Sequence, residues 1–443
     1  PVASVAVAKT HLFANVAGEV LPTVAHGEGV WLVDTEGRRY LDGCSGAMTA
    51  NIGHGNVEIA EAIATQARTI AFTARSFFTS EPAEELAALL AARAPEGLDR
   101  VFFVSSGSEA VETASKLALQ YWRERGRPDK TELISRHTSY HGSTMGALSL
   151  SGHPVRRRAW SEVVRPYPRV AAPSCYRCPF DLTFPTCELA CANDVERAFR
   201  EVGPDRVAAV VVEPIVGAAG GAINPPDGYY ERVAELCRAN DVLLIADEVL
   251  TGVHRTGPFL ALSHWGVSAD LVALGKGLAA GYTPLSAVLI SDRVADTITS
   301  GSGVFVHGHT HASNPLSAAT GLAVLRWCDA NGVFERVPVR GAQLGAALSE
   351  LRQRHRIVGD VRGRGLLWGL ELVADRDTKV RVPGGAAAAV DCARRQGLLI
   401  YPAGDGTLDA FLVAPPLTIS ASEIDELSHR LDSTLEDLAA KSQ

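Results

Sequence analysis

The sequence is short of charge and of long apolar runs, and both shortages limit the kinds of partner that it can have. Of the 443 residues 21% are charged, and 42 basic residues against 50 acidic ones give a formal net charge of −8. An acidic balance without a tract of Lys and Arg argues against nucleic acid or an anionic membrane surface as the main partner. No stretch of about 18 or more apolar residues occurs, which argues against a membrane-spanning segment.

Cysteine is also scarce, at eight residues, which is too few for a disulfide scaffold in a chain of this length. The sequence starts with PVASVAVAKTHLF, which lacks the basic segment and long apolar core of a signal peptide. From both observations we expect a cytoplasmic protein. Tandem repeats and low-complexity linkers are missing as well, so the length and the 47% hydrophobic content favour two or more lobes.

Short apolar and β-branched runs alternate with longer helical stretches, a pattern typical of a mainly parallel sheet covered by helices. Apolar runs without alternation indicate strands buried on both faces. One predicted helix begins near Pro82 (PAEELAALLAARA), with proline in its first turn. The predicted buried strands are Val101–Val104 (VFFV), Val207–Val212 (VAAVVV), Val242–Ala246 (VLLIA), Leu271–Leu274 (LVAL) and Ser286–Ile290 (SAVLI).

The two ends of the chain have a different pattern. GVWLVDTEGRRYLDG near the start and RGLLWGLELV from Arg364 to Val373 alternate in the manner of antiparallel ribbons. We therefore expect a large central α/β lobe and a smaller α+β lobe to which both ends contribute. The expected boundaries are 1–60 and 326–443 for the smaller lobe and 61–325 for the larger one.

Two segments place small or aromatic polar residues where a ligand could bind. After VFFV, Ser106, Gly107 and Ser108 lie where a buried strand turns into a helix, and a helix N-terminus favours an anion such as phosphate. A cap formed by Ser108 would explain the same residues without a ligand. Tyr140 and His141 occupy a polar gap in RHTSYHGSTMG, where the tyrosine either stacks on a planar group or is simply half-buried at a lobe edge.

Two further segments place charged residues directly after buried strands. Asp247 and Glu248 follow VLLIA, at the strand end where sites form in parallel sheets, although loop amides would also satisfy such carboxylates. Lys276 follows LVAL and has Gly275 and Gly277 on either side. A lysine in a tight apolar turn has a lowered pKa, which suits a Schiff-base nucleophile, and the glycines leave room for a bulky cofactor. A pyridoxal enzyme needs such a lysine together with an acid for the pyridine nitrogen, for which Asp247 is the candidate.

Together these segments resemble the class III pyridoxal-phosphate aminotransferases, a fold-type I group. The resemblance extends from about residue 27 to residue 420, nearly the whole chain. It implies an enzyme that uses pyridoxal 5′-phosphate and a large domain with a mainly parallel seven-stranded sheet. The motifs that carry it, in the family's order, are GHG at Gly53–Gly55, SSGSEA, YHG, VEPI at Val212–Ile215, DEV, GKG, HGHT and APPL.

The resemblance also implies a role for each matched residue. Lys276, Asp247 and Tyr140 would be catalytic: the lysine forms the Schiff base and moves the proton, the aspartate keeps the pyridine nitrogen protonated, and the tyrosine stacks on the ring. Thr310, in the HGHT segment, would reach the phosphate of the neighbouring subunit, which implies a homodimer with shared active sites and leaves a tetramer open. The expected cofactor-binding residues are Ser106, Gly107, Ser108, Tyr140, His141, Glu213, Asp247, Val249, Lys276 and Thr310.

Two other patterns are similar to metal sites. CYRCPFDLTFPTCELAC contains cysteines at the spacing of a structural zinc site, but unliganded thiols in a packed insertion explain it as well. VFVHGHTHAS places three alternating histidines on one side of an extended segment, where hydrogen bonding is the simpler account. We predict no metal site from either pattern. The cysteines of the first pattern are Cys175, Cys178, Cys187 and Cys191, and the histidines of the second are His307, His309 and His311.

The predicted activity is the transfer of an amino group from a donor to a keto acid. An amino-acid racemase, an epimerase or an aminomutase would share the cofactor and most of the site residues. These alternatives differ in where the proton returns, which the sequence leaves open. A nucleotide-binding oxidoreductase is disfavoured, because no G-x-G-x-x-G opens a helix after the predicted strands.

The segment before APPL bears on the substrate. Many family members that use α-amino acids carry an arginine there, whereas this sequence is apolar at or beside Leu412 and has no arginine between Gly397 and Ser420. The difference favours an ω-amino acid or an amine as donor and pyruvate as acceptor, as in the amine:pyruvate and taurine:pyruvate branch. Arginines from elsewhere are candidates to bind a carboxylate instead, namely Arg75, Arg255 and Arg364.

Overall fold

The computed structural model describes His11, Phe13 and residues 21–441. Most of residues 1–13, which we predict not to be a signal peptide, therefore lie outside the described residues. In the described part of the chain, no helix is long and apolar enough to cross a bilayer. The strands form three sheets. The helices are α1 (Ser45–Met48), α2 (Val57–Thr69), α3 (Glu81–Arg93), α4 (Gly107–Glu124), α5 (Met145–Leu150), α6 (Pro154–Arg157), α7 (Ala190–Val202), α8 (Tyr229–Ala239), α9 (Asp292–Ser300), α10 (Pro315–Ala330), α11 (Val333–Arg354), α12 (Gly385–Arg395) and α13 (Ala421–Lys441).

The largest sheet has seven strands and is mainly parallel, which confirms the predicted fold class. Its strands are β4 (Arg100–Val104), β5 (Glu132–Arg136), β6 (Arg169–Val170), β7 (Val207–Val212), β8 (Leu243–Asp247), β9 (Leu271–Leu274) and β10 (Ser286–Ile290). Their order is β4-β10-β9-β8-β7-β5-β6. β10 is antiparallel to both of its neighbours, while the pairs from β9 to β6 are parallel.

All five predicted buried strands lie in this sheet. The bounds of β7, β9 and β10 agree with the prediction, and every residue in these strands is buried. The prediction missed β5 and β6, because ELISR mixes charged with apolar residues and the two-residue strand RV is too short to form an apolar run. Continuous apolar runs therefore locate the centre of the sheet and leave one edge undetected.

The two smaller sheets have four strands each. The first consists of β1 (Val24–Glu28), β2 (Trp31–Asp34), β3 (Arg39–Asp42) and β13 (Leu398–Leu399); the second consists of β11 (Val358–Arg364), β12 (Leu367–Leu372), β14 (Tyr401–Ala403) and β15 (Asp409–Val413). Both predicted ribbons occur, as the β2–β3 and β11–β12 pairs. Because β13 pairs with β3, residues from the two ends of the chain share one sheet. The lobe boundaries 1–60, 61–325 and 326–443 stay a proposal.

Helix α4 positions the first part of the candidate site. It begins directly after β4 and packs across the sheet through small buried residues such as Ala110, Ala114 and Ala118. Their small size lets the helix lie close to the strands, so its N-terminus is held at the carboxyl end of β4. Helix α3 includes the segment predicted from Pro82, with the proline in its first turn as expected.

Candidate active site

A cavity of about 280 Å³ lies where β7, β8 and β9 end. Its polar lining consists mainly of residues that the motifs predict, including Lys276, Asp247 and Glu213. Carboxyl ends of parallel strands are where sites form in such sheets, because the loops diverge there. The remaining lining residues are Ala47, Met48, Gly107, Ser108, Tyr140, His141, Gly142, Ile215, Ala218, Val249, Leu250 and Tyr401.

A larger cavity, of about 820 Å³, lies along α2, α3 and α10 but lacks catalytic character. Its cation, Arg326, is paired with Glu85 at 2.7 Å, and neither a lysine nor a histidine lines it. The smaller cavity combines a lysine, two carboxylates and a histidine, so we assign the chemistry to it.

Asp247 is the last residue of β8 and is only 5% exposed. Its Oδ2 lies 2.8 Å from Nδ1 of His141, and its Oδ1 accepts a hydrogen bond from the backbone N–H of Val249 at 3.1 Å. Both oxygens therefore have a hydrogen-bonding partner. Nε2 of His141 is buried and has no hydrogen-bond partner among the described residues. Such an orphaned polar atom beside the cavity fits a bound group that carries polar atoms.

Glu213 holds the loop that carries Tyr140. Its Oε1 accepts a hydrogen bond from the backbone N–H of Tyr140, and its Oε2 accepts one from the N–H of Gly217, both at 3.0 Å. Burial raises the pKa of this carboxyl, although the nearby imidazole of His141 opposes the shift. The hydroxyl of Tyr140 pairs with that of Ser143 at 2.8 Å. Tyr140 is thus held through both its backbone and its hydroxyl, which keeps its ring in one orientation for stacking on a planar group.

The start of α4 forms a cradle for an anion. Ser106 is the N-cap, because its hydroxyl accepts a hydrogen bond from the N–H of Glu109 at 3.3 Å. The alternative that Ser108 is only the cap is therefore wrong, and its hydroxyl instead accepts a hydrogen bond from the N–H of Ser143. A Cβ on Gly107 would lie 2.6 Å from Val249, so only glycine fits there. The first-turn N–H groups, which lack helical acceptors, suit a phosphate.

Lys276 follows β9 in a strained, tightly packed turn. Its φ of 44° lies in the left-handed region, which non-glycine residues adopt mainly where the surroundings impose it. A Cβ on Gly275 would lie 2.6 Å from the hydroxyl of Ser286, and one on Gly277 would lie 2.0 Å from the amide of Asn51. The flanking glycines are therefore needed for packing against the protein, whereas we expected them to make room for a cofactor.

The electrostatic surroundings of Lys276 suit a reactive amine. The side chain is partly buried and lines the cavity. Burial lowers its pKa, while the carboxylates of Asp247 and Glu213 oppose that shift. A lysine with a lowered pKa has a larger neutral fraction at neutral pH, and the neutral amine is the nucleophile.

Thr310 is the predicted site residue that lies apart from the others. It is exposed, in a segment without regular structure, and it is not among the residues that line the cavity. The neighbouring histidines have separate partners: His307 contacts the hydroxyl of Thr113 at 2.8 Å, and the ring of His311 packs on Phe72. One chain therefore brings the other predicted residues into the cavity wall, except Ser106, which caps α4 next to that wall, and leaves the HGHT segment at the surface.

Within the residues that the structure describes, no group of three or more His, Cys, Asp or Glu side chains is placed to hold a metal ion. The four cysteines of the insertion are free thiols. Burial raises the pKa of the Cys191 thiol to about 12.

Leu412 does not line the cavity, so the prediction that it occupies the place of the carboxylate-binding arginine is wrong. It lies in β15, fully buried, and pairs with Gly369 on one side and Tyr401 on the other. In this part of the chain Tyr401 is the residue that reaches the cavity. No spacing in the sequence pointed to Tyr401 or to Met48, because both come from outside the motif-bearing strands.

None of the three arginines considered as substitutes lines the cavity, and hydrogen bonds hold two of them, Arg255 and Arg364, in place. Arg255 is fully buried and donates to the carbonyl oxygens of Leu366 and Pro415 and to the side chains of Ser45 and Asn51. Moving it would leave a buried charge and several acceptors unpaired. Arg364 donates to the side chain of Asn224 and lies over the ring of Trp265, and Arg75 lies over the ring of Phe102.

The chain is similar to known proteins over most of its length. A family model described as aminotransferase class-III matches residues 13–435. The chain is 46% identical over 413 residues to an uncharacterized aminotransferase, YodT, of Bacillus subtilis, covering 92% of this chain and 93% of that protein. It is 35% identical over 408 residues to a putrescine–pyruvate aminotransferase of Pseudomonas aeruginosa, covering 91% and 88%. A thermostable (S)-enantioselective omega-transaminase from Thermomicrobium roseum has a TM-score of 0.90 at 37% identity, covering 97% and 96%.

Proposed function

Because the chain belongs to the class-III aminotransferases, which use pyridoxal 5′-phosphate, we propose that it moves the amino group of an ω-amino acid or an amine to pyruvate. The cavity wall is the observation that carries this choice. Among the described residues that line it there is no arginine, and much of the wall is apolar. An α-carboxylate held permanently against such a wall would lack an arginine that forms two parallel hydrogen bonds with it. The relative named putrescine–pyruvate aminotransferase supports the same donor and acceptor classes.

The residues present fit the cofactor. The N–H groups of Gly107 and Ser108 would bind the phosphate, Tyr140 would stack on the ring, and Asp247 would face the ring nitrogen. His141 supports this assignment, because it holds Asp247 on one side and offers a buried, unpartnered Nε2 on the other. Val249 and Glu213 would act indirectly, the first by packing on Gly107 and the second by holding the backbone of Tyr140.

Two side chains, those of Asp247 and Lys276, would then support the transfer of the proton. When bound, pyridoxal 5′-phosphate supplies an electron-withdrawing ring that stabilises negative charge developing on the substrate carbon. Asp247 would face the ring nitrogen with its carboxyl group, which His141 and the backbone N–H of Val249 hold in place. Nζ of Lys276, whose pKa is lowered by burial, would accept the proton from that carbon and return it.

We also propose that a second copy of the chain completes the site through Thr310. The exposed position of this residue, outside its own cavity, is the supporting observation. Large apolar side chains are exposed in the same segment and in the loop before α3, among them Val306 at 86%, Phe77 at 79% and Phe78 at 68%. Apolar side chains exposed to this degree are typical of a surface that another protein covers.

The experiment that tests the proposed reaction uses the two halves of the reaction separately. An amine donor alone should shift the absorbance of the bound cofactor permanently, because the amino group stays on the enzyme. With a racemase or an epimerase the absorbance would return to its starting value. For the acceptor, kcat/KM is compared for pyruvate and 2-oxoglutarate with one good donor. A preference for 2-oxoglutarate would overturn the proposed acceptor.

A further inference from the structure

Three consecutive arginines at the end of α6 and just after it have different surroundings. Arg157 donates to the carbonyl oxygens at the end of α5, including those of Leu148 at 3.1 Å and Ser149 at 2.8 Å. This contact fixes the short helix α6 to the end of α5. Arg158 is exposed, and the ring contacts found for the described residues do not include it. Arg156, the residue before Arg157, is the one of the three whose guanidinium lies over the ring of Tyr140.

The guanidinium of Arg156 is close to the cavity and only weakly held. Its Cζ lies 4.5 Å from the centre of the Tyr140 ring, and Tyr140 lines the cavity. The side chain is exposed, and the contacts found for the described residues include no hydrogen bond or ion pair of this guanidinium. An exposed contact between a cation and an aromatic ring is weaker than a bidentate bond between an arginine and a carboxylate.

The charges around the cavity show why a keto acid needs such a group. The cavity floor carries the carboxylates of Asp247 and Glu213, which repel the carboxylate of an acceptor. Lys276 is the reacting amine and is therefore not free to neutralise it. Arg255 is already bonded to four protein acceptors. A cation at the rim that can leave a weak contact meets the requirement.

We propose that Arg156 binds the carboxylate of the keto-acid acceptor at the rim of the cavity and returns to the ring of Tyr140 when a carboxylate-free amine is bound. This inference rests on the proposed function. It names the residue that allows one cavity to bind both a keto acid and an amine without a carboxylate. The charge of Arg156 also reaches the cavity interior: the pKa of Lys276 is lowered chiefly by burial, and Arg156 adds to that shift.

The test uses enzyme reconstituted with pyridoxamine 5′-phosphate, so that no amine donor is needed. Its reaction with pyruvate is compared with its reaction with acetaldehyde, which is pyruvate without the carboxylate. Arg156→Gln should lower kcat/KM for pyruvate about 10- to 100-fold, mainly through KM, and leave acetaldehyde unchanged within about twofold. Arg156→Lys should restore part of the loss. Arg158→Gln, the matched control, should behave as the wild type.

A second readout is the dissociation constant of propanoate, an unreactive carboxylate, measured by calorimetry on the holoenzyme. Arg156→Gln should weaken propanoate binding by a similar factor. An equal loss with pyruvate and acetaldehyde would overturn the proposal, because it would show that Arg156 acts through Tyr140. Unchanged pyruvate kinetics would overturn it as well. If the wild type aminates neither acceptor, the proposed function fails, and propanoate binding still decides the role of Arg156.

Discussion

The inner wall of the cavity and the segment around Thr310 differ in how far one chain completes them. On the inner wall, Asp247, His141 and Glu213 are each at most 5% exposed, and every carboxylate oxygen has a partner within about 3.1 Å. The segment of Thr310 is exposed and has no regular structure, and Val306 within it is 86% exposed.

This difference separates two functions. The inner wall has to hold charges in fixed positions while a proton moves, so its groups are buried and bonded before any ligand arrives. The outer segment carries the hydroxyl of Thr310, which does not line the cavity of its own chain. Such a position is expected if a second copy of the chain uses this hydroxyl. Substitutions on the inner wall should therefore affect the chemistry within one chain, and those in the outer segment should act between chains.

The largest effect is expected at the centre of the inner wall. Lys276→Ala should reduce turnover by at least about 10³-fold, because it removes the amine that accepts and returns the proton. Steady-state rates with one good donor and pyruvate provide the measurement. Lys379→Ala is the matched control, since its Nζ donates to the carbonyl oxygen of Tyr176 away from the cavity. Wild-type turnover in Lys276→Ala would show that the inner wall is not the reaction site.

Asp247→Asn should have the next largest effect. The rate of the first half-reaction should fall about 10³-fold, because an amide cannot place a full negative charge at the ring nitrogen. Some cofactor should remain bound. Single-turnover absorbance with the donor alone measures this step. Asp270→Asn is the control: Asp270 accepts the N–H of Leu244 and pairs with Arg293, outside the cavity lining. An unchanged half-reaction in Asp247→Asn would refute its role.

Leu412→Arg distinguishes the cavity wall from the core behind it. Leu412 is fully buried between β12 and β14, so an arginine there would be an unpaired buried charge. We expect the free energy of unfolding to fall by roughly 3 kcal/mol, without a gain for α-carboxylate donors. Denaturant unfolding measures the loss, and Leu412→Met is the volume-conserving control. A stable variant that gains such donors would restore the prediction that Leu412 borders the substrate.

The smallest effect is expected in the outer segment. Thr310→Ala should weaken cofactor binding about 10-fold, the value of one charge-assisted phosphate contact. Equilibrium dialysis against pyridoxal 5′-phosphate measures it, with Thr299→Ala, an exposed threonine at the end of α9, as the control.

Mixed dimers sharpen the comparison between the two regions. Pairing a Lys276→Ala chain with a Thr310→Ala chain puts both changes in one site and leaves the other site intact if Thr310 acts across subunits. Such a heterodimer should retain about half of the activity of the wild type. Loss of all activity would contradict sharing of the site.

The sequence predicts the inner wall well and the substrate side poorly. Buried strands are continuous apolar runs, so the residues that follow them, such as Asp247 and Lys276, are placed by the chain itself. Tyr401 reaches the cavity from a strand of a smaller sheet, and Arg156 reaches Tyr140 from a four-residue helix. Neither position follows from local spacing. The error at Leu412 has the same origin, because a motif near a strand does not tell which of its residues borders the cavity.

The attachment of the cofactor to Lys276 is the central claim, and one measurement tests it directly. The purified protein is treated with borohydride, digested, and its peptides are analysed by mass spectrometry. The chain has six lysines, so five others compete for the label. The mass of the reduced cofactor should appear on the peptide that contains Lys276 and on no other lysine. A reduced cofactor attached elsewhere, or a yellow protein from which borohydride traps none, would contradict the account.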